Sequence, residues 1–188
     1  SIPPAVQPMA MFDKDNDPLA DQEALQRHIA VALDTPEPRG IGLELSYQLV
    51  RLVFNPLILG ADHIPDKPCL FVGNHSLYAK DGWVLGPIML KELGRFVRGL
   101  GDRFLFASDR VGDSVMKIGG VMGHPEVCAA LLQNGHDLMV FPGGAHEAVK
   151  PASAMYELQW KERFGFCRVA ARHGYTIRPV GMVGPDEF

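Results

Sequence analysis

Residues Pro68–Asn74 read PCLFVGN. An apolar run without polar alternation, closed by Gly73-Asn74, describes a strand buried on both faces. Asp137–Phe141 (DLMVF) repeats that pattern and is stopped by Pro142-Gly143-Gly144. Thr176–Val183 supplies a last strand and Arg95–Val97 a short one. Helical patterns fill the intervals. Gly82–Leu93 and Asp102–Ser108 read as helices. Pro125–Asn134 has proline in its first turn, Glu126 beside it and Gly135 just past its end. Met155–His173 reads as one long helix stopped by Gly174. Strands alternating with helices predict an α/β domain, with a mixed, largely parallel central sheet flanked by helices.

Upstream, residues 1–40 carry prolines at 3, 4, 8, 18, 36 and 38 and read as an N-terminal arm or linker. One helix is expected there, over Pro18–Leu33, with Leu19, Leu25, Ile29 and Leu33 near one face. The remaining residues, 41–188, form the expected main domain. Its first stretch, Ile41–Leu59, fits both strand alternation and helical spacing. As a helix it could lie on a membrane surface or pack on its own core.

Composition narrows the classes. The chain has 188 residues, 47% hydrophobic and 21% charged, with net charge −4. One globular domain is expected, and nucleic acid is a poor partner for such a charge. Cys69, Cys128 and Cys167 lie far apart without a CxxC, which argues against a zinc ribbon or a thioredoxin motif and for a reducing, cytoplasmic setting. Ser1–Gln7 lacks the pattern of a secretory signal, and no run reaches a membrane span of roughly 18 apolar residues. Gly99-Leu100-Gly101 lacks the third glycine of a dinucleotide fingerprint, and no P-loop or GxSxG elbow occurs. The seven histidines show no ligand spacing, so no metal site is expected.

Two loops then stand out, each after a strand. In an open parallel sheet, such loops collect in one crevice. The first carries His75, followed six positions later by Asp81. A carboxylate on one imidazole nitrogen fixes the tautomer and leaves the other nitrogen free to take a proton. The second loop, Pro142–Glu147 (PGGAHE), carries Gly143 and Gly144, whose N–H groups an anion could approach with no Cβ in the way. Each pattern also has a plain structural reading: a strand-end histidine, a helix-capping aspartate, a turn.

Four ordered blocks resemble the PlsC-like lysophospholipid and glycerolipid O-acyltransferase superfamily. They are Ala61–Asn74 (ADHIPDKPCLFVGN) leading into Asn74-His75 and Asp81, Gly101–Phe106 (GDRFLF), Phe141–Lys150 (FPGGAHEAVK) and Ile177–Gly184 (IRPVGMVG). The resemblance covers roughly residues 43–188. Five residues separate His75 from Asp81 where the commoner pattern has four, and FPGG stands where most members carry an E-G-T-R type block. Both departures resemble the branch of diacylglycerol acyltransferase and phytyl ester synthase-type enzymes. His146 stands where that branch often has arginine. The chain stops just after the fourth block, as a fragment or an unusually short member would.

The resemblance implies a reaction. His75 is the general base and Asp81 its orienting partner. An acyl group passes from acyl-CoA or acyl carrier protein, as co-substrate, to a hydroxyl of a lysophospholipid, diacylglycerol or long-chain alcohol. Asn74, Arg103, Phe104, Gly143, Gly144 and Glu147 are the implied binding residues. No cofactor is implied, and the setting is a peripheral membrane surface on the cytoplasmic side. The rivals are a hydrolase using the same pair on water and a lipid-binding module without catalysis.

Overall fold

The computed structural model describes residues 18–76, 80–106, 108–184 and 187. The first 17 residues of the expected arm, including the stretch tested for a secretory signal, lie outside them. So do residues 77–79 of the histidine loop.

Five strands form one sheet, β1 (Cys69–Gly73), β2 (Val97–Gly101), β3 (Gly120–Met122), β4 (Asp137–Val140) and β5 (Thr176–Val180). Their order is β3-β2-β4-β1-β5, and every pairing is parallel. Leu70 is level with Leu138 on one side and Ile177 on the other. Parallel pairing obliges each connection to cross over the sheet, and helices supply the crossovers. The helices are α1 (Gln22–Asp34) and α2 (Ile41–Val53), both ahead of β1, and α3 (Lys80–Leu93), α4 (Asp109–Lys117), α5 (Pro125–Gln133), α6 (Gly144–Ala148) and α7 (Gly165–His173), which lie in the crossovers.

Strand alternation sorts two cores. Leu70, Val72 and Leu138 face one side with Leu25 and Ala32 of α1, Met116 of α4, Val127 and Leu131 of α5 and Ala170 of α7. Cys69, Phe71 and Met139 face the other, with Met89 of α3 and Phe141. The helix expected within the arm therefore lies against the first core, through Leu19, Leu25 and Ala32. Its start is set by Asp21, whose carboxylate accepts the Ala24 N–H at 2.9 Å.

At the start of the strands, Arg95 and Asp137 form a bidentate pair at 2.8 and 2.6 Å. Arg95 also donates to the Pro65 and Lys67 carbonyls, and Asp137 accepts the Cys69 N–H at 2.7 Å. This knot ties the beginnings of β1, β2 and β4. The hydrogen bonds from Asp137 hold the Arg95 guanidinium above its ordinary pKa.

Several expectations are corrected. The long helix over Met155–His173 is only its last part, α7. Tyr156 and Lys161 adopt left-handed backbone, φ 64° and 52°, which no helix accommodates. The strand at Arg95–Val97 runs instead over Val97–Gly101, and the last strand ends at Val180. Asp102–Ser108 is a short 3-10 turn, Arg103–Phe106, before α4. Ile41–Leu59 resolves as a helix to Val53 followed by irregular chain.

Candidate active site

The strand order reverses around β1. The chain leaves β1 for β2, and β4 later inserts between them. The carboxyl ends of β1, β4 and β5 are therefore neighbours, and the loops that leave them meet.

His75 leaves β1 and lies against the α3 side of the sheet. Its ring stacks on Phe141, with centroids 4.5 Å apart and planes 6° from parallel. Its Nδ1 is 2.8 Å from Asp81 Oδ2 and 3.0 Å from Oδ1. A carboxylate can only accept, so Nδ1 carries the hydrogen in the neutral ring and Nε2 is the basic nitrogen. The His75 side chain is 13% exposed and that of Asp81 is fully buried.

Asp81 sits in the first turn of α3, where a negative charge is favoured by the helix dipole. Its carboxylate also accepts the Ser76 N–H, and the Gly82 N–H at 2.6 Å. The Ser76 hydroxyl in turn accepts the Asp81 N–H at 3.2 Å. An anion so supplied with donors is held in one orientation, and it holds the imidazole in turn.

Glu147 is wholly buried. Its Oε2 accepts the His75 N–H at 2.9 Å, and its Oε1 accepts the Gln159 N–H at 3.1 Å. It thus ties the histidine loop to the loop after β4 and to the irregular segment beyond. A Cβ on Gly143 would stand 2.2 Å from Glu147 Oε2 and 2.4 Å from its Cβ. The space that a Cβ would take at Gly143 is therefore filled by the Glu147 side chain. Gly143 has ordinary helical backbone, φ −65°, so its requirement is one of space alone.

The expected role of the Gly144 N–H needs correction. It donates to the Phe141 carbonyl at 2.9 Å and closes the turn, with φ 55° at Gly144. Arg163 braces the same turn by donating to the Gly143 carbonyl at 2.8 Å. Asn74 clamps the chain after β5 to the chain after β1. Its amide donates to the Met182 carbonyl at 3.0 Å and its Oδ1 accepts the Met182 N–H at 2.7 Å. Arg103 and Phe104 lie in the 3-10 turn after β2, at the same carboxyl edge of the sheet but two strands from β1. Phe104 is exposed and Arg103 half-buried. His146, in place of an arginine, is exposed.

Sequence reasoning missed Ser76, Phe141, Gln159 and Arg163 as supports. Ser76 and Phe141 stand inside the quoted blocks, and their partners became visible only with the fold. Gln159 and Arg163 were hidden by the false helix. Burial pushes the Cys128 thiol up to about 12 and raises that of Cys69, so neither offers a thiolate nucleophile. Among the described residues no cluster of histidine, cysteine and carboxylate groups could hold a metal ion.

No protein-family profile matches the chain, and no solved structure matches it. Several curated proteins do. Phytyl ester synthase 1, chloroplastic, from Arabidopsis thaliana is 34% identical over 142 residues, which are 70% of this chain and 20% of that protein. The DGAT1/2-independent enzyme synthesizing storage lipids from Bos taurus is 30% identical over 122 residues, 64% of this chain and 36% of that protein. Diacylglycerol O-acyltransferase 2B from Umbelopsis ramanniana is 28% identical over 78 residues, 40% of this chain and 22% of that protein. The chain thus spans well under half the length of the curated relatives it matches. The relatives it matches are named as phytyl ester synthases, an enzyme synthesizing storage lipids and a diacylglycerol O-acyltransferase.

Proposed function

We propose that the chain carries the catalytic centre of a lipid O-acyltransferase, with acyl-CoA or acyl carrier protein as donor and a lipid alcohol as acceptor. The observation that carries this reading is the oriented His75 ring, held between Asp81 and Phe141 with Nε2 as its basic nitrogen.

In the proposed reaction His75 Nε2 removes the proton of the acceptor hydroxyl as its oxygen attacks the thioester carbonyl carbon. A tetrahedral oxyanion forms. The Asp81 carboxylate stabilises the imidazolium that results. The carbon–sulfur bond then breaks, and the leaving thiolate takes the proton back from Nε2. The Gly143 N–H is proposed as an oxyanion donor, since that of Gly144 is engaged in the turn. Arg103 and Phe104 are proposed to border the acceptor, and Glu147 to fix the loop that presents His75. No cofactor enters these steps. No helix among the described residues is long and apolar enough to cross a membrane. A peripheral position on the cytoplasmic side of a membrane is part of the proposal.

The test is thioester consumption with acyl-CoA over a panel of lysophospholipids, diacylglycerol, long-chain alcohols and phytol-like alcohols. Ester product is expected with at least one acceptor. His75→Ala should cost about 10²–10⁴-fold in rate with the melting temperature retained. Full transfer by a folded His75→Ala chain would refute the mechanism. Free acid in place of ester would identify the hydrolase reading, and tight lipid binding without turnover the lipid-binding one.

A further inference from the structure

Helix α2 packs through Val50, which is buried, and through Leu43 and Tyr47, which are half-buried, with its charged residues paired to α3 along the edge of that face. Glu44 receives Lys91 of α3 at 2.8 Å. Arg51 lies 3.5 Å from Glu92 of α3, and the Tyr47 hydroxyl donates to Glu92 at 3.1 Å. Arg51 also donates to the Pro56 carbonyl at 2.7 Å. The opposite side is aliphatic and open. Ile41 is 79% exposed, Leu45 65% and Leu52 83%, with Leu49 and Val53 beside them. Positions 41, 45, 49, 52 and 53 fall on one arc of a 3.6-residue helix. The irregular chain that follows adds Leu57 and Leu59, both more than four-fifths exposed.

A helix normally turns such a stripe toward its own core. Here the burial of Val50 together with three polar contacts to α3 leaves the stripe facing outward. Charge complementarity selects the occupant. Between Gly40 and Gly60 the ionisable side chains are Glu44, Tyr47 and Arg51, and all three pair with α3 residues, off the aliphatic arc. The outer face is therefore uncharged, as the acyl layer of a bilayer is. It also lacks the aromatic and arginine anchors that protein interfaces concentrate. At 13 residues α2 is about 20 Å long, too short to cross a hydrocarbon core of about 30 Å but suited to lie in its plane.

We propose that Ile41, Leu45, Leu49, Leu52 and Val53, continued by Leu57 and Leu59, form the surface by which this domain docks on a lipid layer. The inference rests on the reading of the acceptor as a lipid alcohol, and it names the surface that meets the lipid. Lacking a cation, the face binds zwitterionic lipid as well as anionic lipid and responds little to salt.

The test is flotation of the 188-residue chain with phosphatidylcholine vesicles, with and without phosphatidylserine, at low and high salt. The chain should float in all four conditions. The variant carrying Leu45→Glu, Leu49→Glu and Leu52→Glu should lose at least about tenfold in partitioning, with its melting temperature retained because these side chains are exposed. Leu57→Glu with Leu59→Glu, outside the helix, gives a second reading that cannot depend on helix stability. The inference is overturned if the wild-type chain stays off phosphatidylcholine vesicles. It is overturned equally if the variants float like wild type, or if the substitutions change only self-association. Transfer to a water-soluble alcohol, measured in parallel, should be unchanged in the variants. Its absence in every chain would sink the acyltransferase reading while the flotation result still judges the surface.

Discussion

Substituting Gly143 with alanine isolates the contact on which the histidine loop depends. The backbone at Gly143 suits alanine, so the substitution adds only a methyl group. That methyl would lie 2.2 Å from Glu147 Oε2 and 2.4 Å from Glu147 Cβ, more than 1 Å inside ordinary contact. Glu147 is wholly buried and pinned by the His75 and Gln159 N–H groups. It cannot yield without loosening both bonds. A hydrogen bond to a charged group contributes about 1.5–3 kcal/mol, so losing two sets an upper range of about 3–6 kcal/mol. Movement of the Gln159 segment toward solvent relieves part of this, and about 3 kcal/mol is expected. For a chain of this size each kcal/mol shifts the melting temperature by about 2–4 °C, which gives a fall of about 6–12 °C. The rate should fall further than stability explains, because a displacement near 1 Å at the base costs about 100-fold. The assay pairs calorimetry with thioester consumption below the melting temperature of the variant. Glu147→Gln, which keeps the shape but offers only one accepting oxygen, should fall between the two. A Gly143→Ala chain with wild-type melting and turnover would refute the contact as described.

Three further outcomes are expected. Asp137→Asn breaks the bidentate pair with Arg95 at the far end of the sheet. Loss of about 3 kcal/mol is expected by denaturant titration, with turnover at low temperature unchanged once folded chain is counted. Burial lowers the pKa of His28, with Arg98 and His124 adding to it, and burial likewise lowers that of His136, so both fold as neutral rings. The unfolded rings bind protons near 6.5, so this stability is complete above that pH and declines as pH falls below it. The His28 Nε2 also accepts the Met122 N–H at 3.1 Å, a bond the protonated ring cannot accept. His28→Gln should therefore flatten the fall in melting temperature on acidification, and an unchanged slope would contradict the assignment.

What could be read beforehand followed locality. The strand at Cys69–Gly73 and the helix Pro125–Gln133 carry their signals within their own residues, an apolar run and a proline start. β2 does not: VRGLG holds two glycines and an arginine, and its neighbours make it a strand. Its Arg98 is fully buried, with the guanidinium over the Phe96 ring, and burial pushes its pKa down to about 10. No pattern of alternation contains such a residue. The segment before α7 misled for a similar reason. Its helical spacing was genuine, but backbone N–H of Gln159 is claimed by Glu147, twelve residues back. At the site, the bond between His75 and Asp81 spans six residues and was legible. Glu147 meets His75 across seventy-two, and only the parallel order of β1 and β4 brings them together.

The clamp between Asn74 and Met182 joins residues 108 positions apart. A ribosome therefore delivers the His75–Asp81 pair well before this fastening. Until β5 arrives, one edge of β1 stands open, and open strand edges invite pairing with other chains. The interval between those two moments in synthesis is when this sequence is most exposed to misassembly. A chain released before Met182 would hold His75 and Asp81 and lack the tether on Asn74 beside them.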